Sequence, residues 1–150
     1  MMRSAVMPDV TRSIDIKARP SEVWRWLSSQ EALRRWISPN LEIELSVGGA
    51  YRFLGPDGKT WVSGRVLEYV PEGRLALSWM EEGSDWIHPA RLVVTIAASP
   101  AGALVTLVHD GFAGIGKPGW ADTVQDYERG ADAHQILEKL AALVNEDVVA

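Results

Sequence analysis

Six segments with strand character follow one another between residues 41 and 110, and short connections separate most of them. Apolar residues alternate with polar ones through much of these segments, the period-2 pattern of half-buried strands, although Leu67, Tyr69, Val93 and Val108 interrupt it. A parallel pairing needs a crossover of about a dozen residues or more, whereas Gly48-Gly49 and Pro71-Glu72-Gly73 are far shorter. Neighbouring strands are therefore expected to pair antiparallel. The predicted strands are 41–46, 50–54, 59–70, 74–80, 90–98 and 103–110.

Further elements flank these strands on both sides. Alternation predicts a first strand at 10–17, and apolar residues at helical spacing predict a short helix at 21–27. Ser28 and Glu31 have the spacing of a capping box, which predicts a second short helix. A long helix is predicted at 118–146, where its apolar stripe consists of Ile136, Leu137, Leu140, Leu143 and Val144. Gly130 costs this helix about 1 kcal/mol relative to alanine, so a bend or close packing is expected there.

Composition excludes several classes of function. The 150 residues include no cysteine, which excludes disulfides, cysteine catalysis and thiolate metal sites. A net charge of −5 argues against nucleic-acid binding and against binding to an anionic membrane, because both require a basic face. No apolar run approaches the ~20 residues that cross a bilayer, and no signal peptide is apparent, so a cytoplasmic protein is expected. One domain is predicted at 10–150, preceded by a disordered tail at 1–9.

The glycine pair Gly48-Gly49 could belong to a phosphate-binding loop or to the sheet. A phosphate loop places its glycines before a helix, with a lysine and a serine or threonine at fixed offsets. Here the alternating segment Tyr51-Arg52-Phe53 follows instead. The pair is therefore interpreted as a bend or bulge before a strand.

Several stretches match one known family in their local sequence. They are Ala18-Arg19-Pro20-Ser21-Glu22-Val23-Trp24, Trp36, Val47-Gly48-Gly49-Ala50-Tyr51-Arg52-Phe53, Gly64-Arg65-Val66-Leu67-Glu68-Tyr69-Val70-Pro71, Leu75-Ala76-Leu77-Ser78-Trp79 and Leu104-Val105-Thr106-Leu107-Val108-His109-Asp110-Gly111-Phe112. As a set they resemble the START-like, or SRPBCC, superfamily, in the branch named after the activator of the 90-kDa heat-shock-protein ATPase. The resemblance implies an α+β helix-grip fold, in which a curved seven-stranded antiparallel sheet wraps around a long C-terminal helix. One departure is Gly130-Ala131, where the branch often has a Gly-Trp pair.

The resemblance also implies a cavity between the sheet and the last helix, which in this superfamily commonly holds apolar or aromatic small molecules. Seven tryptophans could line such a cavity or simply fill the core. Trp79, Tyr51 and Phe53 are the first candidates because they lie on the strands that curve around the helix, and Trp36 and Trp120 are expected nearer the mouth. The full set of candidate ligand-binding residues is Trp36, Tyr51, Phe53, Trp79, Leu107, His109, Trp120, Tyr127 and His134.

Two histidines are the polar candidates. His109 shares the predicted inner face with Leu107 and could be a general base, a ligand-orienting group or a core histidine whose ring is satisfied. Tyr127 and His134 lie on one stripe of the last helix and either line the cavity or flank it. No residue is assigned as catalytic. No spacing predicts a metal site, no cofactor is expected, and the acidic segment from Glu81 to Asp85 is interpreted as solvated.

Three functional hypotheses remain open. The first is a protein that binds a small hydrophobic or aromatic molecule, as a carrier or sensor. The second is an enzyme of the cyclase or dehydratase type that uses the same cavity. The third is a chaperone-associated protein, against which weighs the lack of the separate N-terminal domain of full activator proteins. A homodimer, formed through an exposed strand or a tryptophan patch, is compatible with each of them.

Overall fold

The seven strands in the described part of the chain form one antiparallel sheet. The computed structural model describes residues 9–149, with side chains up to residue 147, so the predicted tail lies outside the described residues except for Asp9. The strands lie in the order β1-β7-β6-β5-β4-β3-β2, which makes the first and last strands neighbours. Their bounds are β1 Val10–Ile16, β2 Glu42–Ile43, β3 Ala50–Leu54, β4 Trp61–Val70, β5 Arg74–Glu81, β6 Ala90–Ser99 and β7 Gly102–Asp110. The predicted α+β helix-grip fold is confirmed.

The helices cover one face of this curved sheet. Helix α1 spans Pro20–Trp24, α2 spans Gln30–Arg34, α3 spans Trp120–His134 and α4 spans Ile136–Val149, and a 3-10 turn lies at Phe112–Gly114. Ser29, one residue after the predicted cap Ser28, accepts the N–H of Ala32 and begins α2.

The C-terminal helical segment is divided, and the predicted bend is displaced. It breaks at Gln135, which adopts the left-handed conformation at φ 47°, five residues after Gly130. Helix α3 packs against β1 and the 3-10 turn, whereas α4 packs against β1 and α1. The two helices therefore approach the sheet separately, which a continuous apolar stripe does not reveal.

The glycine pair is part of the sheet, as predicted. Gly48 has φ 87°, its N–H donates to the Val66 carbonyl, and the Val66 N–H donates to the Gly49 carbonyl. A Cβ atom at Gly49 would lie 2.0 Å from the Glu44 carbonyl oxygen, so only glycine fits. A bulge in β4 between Val66 and Glu68 adds local twist where this segment pairs.

Gly130→Ala is expected to stabilise the protein by about 1 kcal/mol, because alanine restricts the unfolded chain and favours the helix. A Cβ atom there would meet only the His134 ring, at 3.8 Å, which is an ordinary contact. Urea unfolding measures the change. Gly102→Ala is the matched opposite case, since φ is 144° and its Cβ would lie 2.6 Å from the Ile16 carbonyl. Loss of stability in Gly130→Ala would contradict the expectation.

Candidate ligand cavity

A cavity of about 700 Å³ lies between the helix-covered face of the sheet and the segment that contains α3 and the start of α4. Strands β3, β4, β5, β6 and β7 contribute its walls, together with β1 and the segment after α2. Six of the sequence-predicted residues line it: Phe53, Trp79, Leu107, His109, Tyr127 and His134. The curvature of the sheet thus brings together side chains that are 81 positions apart in the chain.

Three of the predicted residues lie elsewhere. Trp36 is buried in the core, and its indole N–H donates to the Trp26 carbonyl at 2.8 Å. Tyr51 lines an open groove near the β2 edge of the sheet and donates its hydroxyl proton to the Ser78 carbonyl. Trp120 packs against a second, smaller core cluster that includes Trp86. None of the three reaches the cavity between sheet and helix.

An aromatic cluster forms one wall of the cavity. The Trp79 ring lies 5.3 Å from Phe53 and 4.5 Å from His109, centroid to centroid, and both contacts are edge-to-face. Tyr127 of α3 closes the group at 4.7 Å from His109. Behind it, Phe112 of the 3-10 turn contacts His109 at 4.8 Å. Edge-to-face packing holds these rings in fixed orientations, so the wall is preformed.

A short hydrogen-bonded chain crosses this wall. The indole N–H of Trp79 donates to the Tyr127 hydroxyl oxygen at 2.9 Å, and that hydroxyl donates to Glu81 Oε2 at 2.5 Å. Burial, and then the hydrogen bond to Glu81, raise the pKa of Tyr127 well above its usual value. The phenol therefore stays protonated and holds the Glu81 carboxylate in place.

His109 is enclosed by rings and stays neutral. Burial lowers the pKa of His109 to about 3, and its Nε2 atom has no hydrogen-bond partner among the described residues. The neighbouring Asp110 points away, as β alternation predicts, and forms a two-pronged ion pair with Arg91 at 3.0 and 2.7 Å. His109 thus lacks the carboxylate that would orient it as a base.

The sequence prediction missed Glu81. Its neighbours are surface groups: Glu82 pairs with Arg52 at 2.8 Å and Asp85 with Lys117 at 3.2 Å. Glu81 differs because β5 continues one residue further than predicted, which places it on the same face as Trp79. Extending the alternation of β5 by that one residue is the signal that would have found it.

No group of three His, Cys, Asp or Glu side chains within residues 9–147 is arranged to hold a metal ion. In the same described part of the chain, no helix is long and apolar enough to span a bilayer.

Residues 17–145 match the model of one protein family, Activator of Hsp90 ATPase homolog 1-like protein. The chain belongs to this family. The resemblance that the local motifs indicate is thereby confirmed, and no curated protein matches the sequence. Gly130 and Ala131, the two residues at which the sequence departs from the motif that the resemblance implies, both line the cavity.

Solved structures share the fold. MLL2253 from Mesorhizobium loti matches with a TM-score of 0.76 and 19% identity, covering 92% of this chain and 97% of that one. The Aha1 dimer from Colwellia psychrerythraea matches with a TM-score of 0.60 and 14% identity, covering 81% of this chain and 88% of that one. DynU16, a protein in the dynemicin biosynthetic locus, matches at 0.71 and 17%, covering 93% of this chain and 48% of that one. At these identities the likeness is one of fold.

Proposed function

We propose that the protein binds a small, largely apolar molecule in the cavity between the sheet and helices α3 and α4. The observation that carries the proposal is the cavity itself, which at about 700 Å³ lies within the usual range of ligand sites. Its sheet wall carries rings and aliphatic side chains, such as Phe53 and Leu107, whereas charged side chains such as Asp57 and Asp132 lie at exposed positions of the lining. That composition suits an apolar body with one oriented polar group.

A space of this size is unlike a packing defect. Protein interiors reach the density of organic crystals, and voids much larger than a water molecule are few. Leu92 and Leu107 contribute apolar surface to this space, and a bound apolar molecule would cover that surface.

A cyclase or dehydratase reaction in the same cavity is the alternative proposal. Neutral His109 and protonated Tyr127 offer little basicity, and Glu81 is the carboxylate that contacts the aromatic wall through Tyr127. If a reaction occurs, a dehydration will lower the mass of the released ligand by that of water, and a cyclisation that only isomerises the ligand will change its chromatographic retention at equal mass. A chaperone partner and a homodimer, the state named for the Colwellia protein, also remain proposals.

The first test is native mass spectrometry of freshly purified protein, followed by denaturing extraction of whatever it carries. We expect a stoichiometric apolar adduct, or an apo protein that binds the neutral fluorescent probe N-phenylnaphthylamine. The same spectrum reports whether the chain dimerises. Failure of both adduct and probe binding would overturn the proposal.

Ala131→Trp is expected to reduce probe affinity at least tenfold, because the indole would occupy the ligand's space. Ala133→Trp is the matched control, since Ala133 is exposed on the same helix and does not line the cavity. Fluorescence titration measures both variants, and thermal unfolding checks that they fold. Equal affinity in the two folded variants would place the probe outside the cavity.

A further inference from the structure

We propose that the cavity selects ligands that carry a protonated amine, which the Glu81 carboxylate receives beside Trp79 and Tyr127. This inference rests on the function proposed above and specifies its ligand class. It assigns Glu81 a role in recognition rather than in folding.

The first support is the position of Glu81. It is the last residue of β5, half-buried, and lines the cavity on the same face as Trp79. The hydrogen bond from Tyr127 engages Oε2 only. No lysine, arginine or histidine among the described side chains lies within ion-pair distance of this carboxylate. The second oxygen of this carboxylate is therefore available to a cationic ligand, which would supply the charge that no side chain pairs.

The other carboxylates of the cavity differ from Glu81. The cavity is lined by five of them, Asp57, Glu81, Asp126, Asp132 and Glu138, and by two cationic side chains, Arg12 and Lys139. The four carboxylates other than Glu81 are exposed to solvent. Asp132 is paired with Arg12 at 3.0 Å, and Asp126 is paired with Arg129. Glu81 is thus the half-buried member of the set, and it lacks a cationic partner.

The excess of carboxylates over cationic side chains around the cavity also favours a cationic ligand. Charges of one sign around a cleft with low-dielectric walls focus the field and raise the local concentration of the opposite ion. Cationic molecules are therefore favoured at the mouth before they meet Glu81, and anionic ones are repelled.

The aromatic wall adds a third contribution. Trp79, Tyr127 and Phe53 line the same cavity. An ammonium group near such rings gains cation–π attraction, most strongly with tryptophan and where water is excluded. The hydrogen bonds from Trp79 to Tyr127 and from Tyr127 to Glu81 keep the carboxylate fixed, so little ordering remains to be done on binding.

The test compares three ligands that share one ring system: naphthylethylamine, naphthylethanol and naphthylacetic acid. Each displaces N-phenylnaphthylamine from the protein at neutral pH. We expect the amine to bind at least tenfold more tightly than the alcohol, and the acid to bind least. Equal binding of amine and alcohol would overturn the amine preference while leaving cavity binding intact. Failure of all three, and of the probe, would overturn the proposed function as well.

Glu81→Gln isolates the carboxylate, because the amide oxygen can still accept the Tyr127 hydrogen bond. We expect the amine preference to vanish while alcohol affinity stays within about twofold. Glu82→Gln is the matched control, since Glu82 pairs with Arg52 outside the cavity. Retention of the preference in Glu81→Gln would reject Glu81 as the receptor. If that variant fails to fold, the three-ligand comparison on the native chain still decides whether amines are preferred.

Discussion

Phe112→Ala is expected to lower the free energy of unfolding by about 3 to 5 kcal/mol, the range for removing a fully buried phenylalanine ring. Phe112 is 0% exposed and lies in the 3-10 turn that joins β7 to α3. Its ring contacts Trp86 at 6.1 Å, Tyr127 at 5.1 Å and His109 at 4.8 Å, centroid to centroid. Two contributions make up this loss. One is the free energy of transferring the ring out of water, and the other is the cost of a cavity that the rigid neighbouring side chains fill only in part.

Urea unfolding followed by tryptophan fluorescence measures this loss. Val47→Ala is the control, because Val47 is 70% exposed and its truncation should change stability by less than about 0.5 kcal/mol. A loss below about 1 kcal/mol in Phe112→Ala would show that the second core cluster collapses around the vacancy. We also expect weaker probe binding, since Phe112 supports two residues of the cavity wall.

The antiparallel character of the sheet could be predicted because chain connectivity dictates it. Connections as short as Pro71-Glu72-Gly73 allow only a hairpin, and β4 and β5 pair accordingly. The pairing of β1 with β7, for example Val10 with His109, joins the two ends of the chain. No local pattern specifies such a contact, and the sequence analysis does not predict it.

The helix break shows where local pattern fails. Gln135 has no conformational preference for φ 47°, and an unconstrained side chain there would favour a continuous helix. The break arises because α3 and α4 each bury their own face, α4 against β1 and α1. Gly130, the residue with the weaker helix propensity, stays helical. Tertiary packing outweighs a propensity difference of about 1 kcal/mol.

The alternation of the strands predicts part of the cavity wall, and the curvature of the sheet limits that prediction. A strand with one buried face must alternate, and this alternation predicts Phe53, Trp79 and His109 on inner faces. All three line the cavity. Tyr51 has the same alternation as Phe53 but donates its hydroxyl proton to the Ser78 carbonyl and lines the groove near β2 instead of the cavity. Period-2 alternation gives the face of a residue, whereas the curvature decides what that face meets.

The stability of the protein is expected to fall as the solution is acidified from pH 7 to pH 5, and His109 should account for about 2 kcal/mol of the loss. Burial lowers the pKa of His109 to about 3, against an ordinary value of 6.5. Between these two pH values the His109 ring binds a proton in the unfolded chain but stays neutral in the folded protein. The unfolded state then holds more protons, so stability rises with pH and is lost as pH falls below about 6.5.

Urea unfolding at pH 7 and pH 5 gives the change in the free energy of unfolding with pH. The difference in this slope between the native chain and His109→Gln isolates the contribution of His109. The absolute stability of the variant does not enter, so a general loss from the substitution leaves the test valid. His88→Gln is the control, because His88 is exposed and should leave the slope unchanged. Equal slopes in the native chain and His109→Gln would mean that His109 gains a proton in the folded state. In that case water or a ligand group must reach the Nε2 atom, which the aromatic wall encloses in this structure.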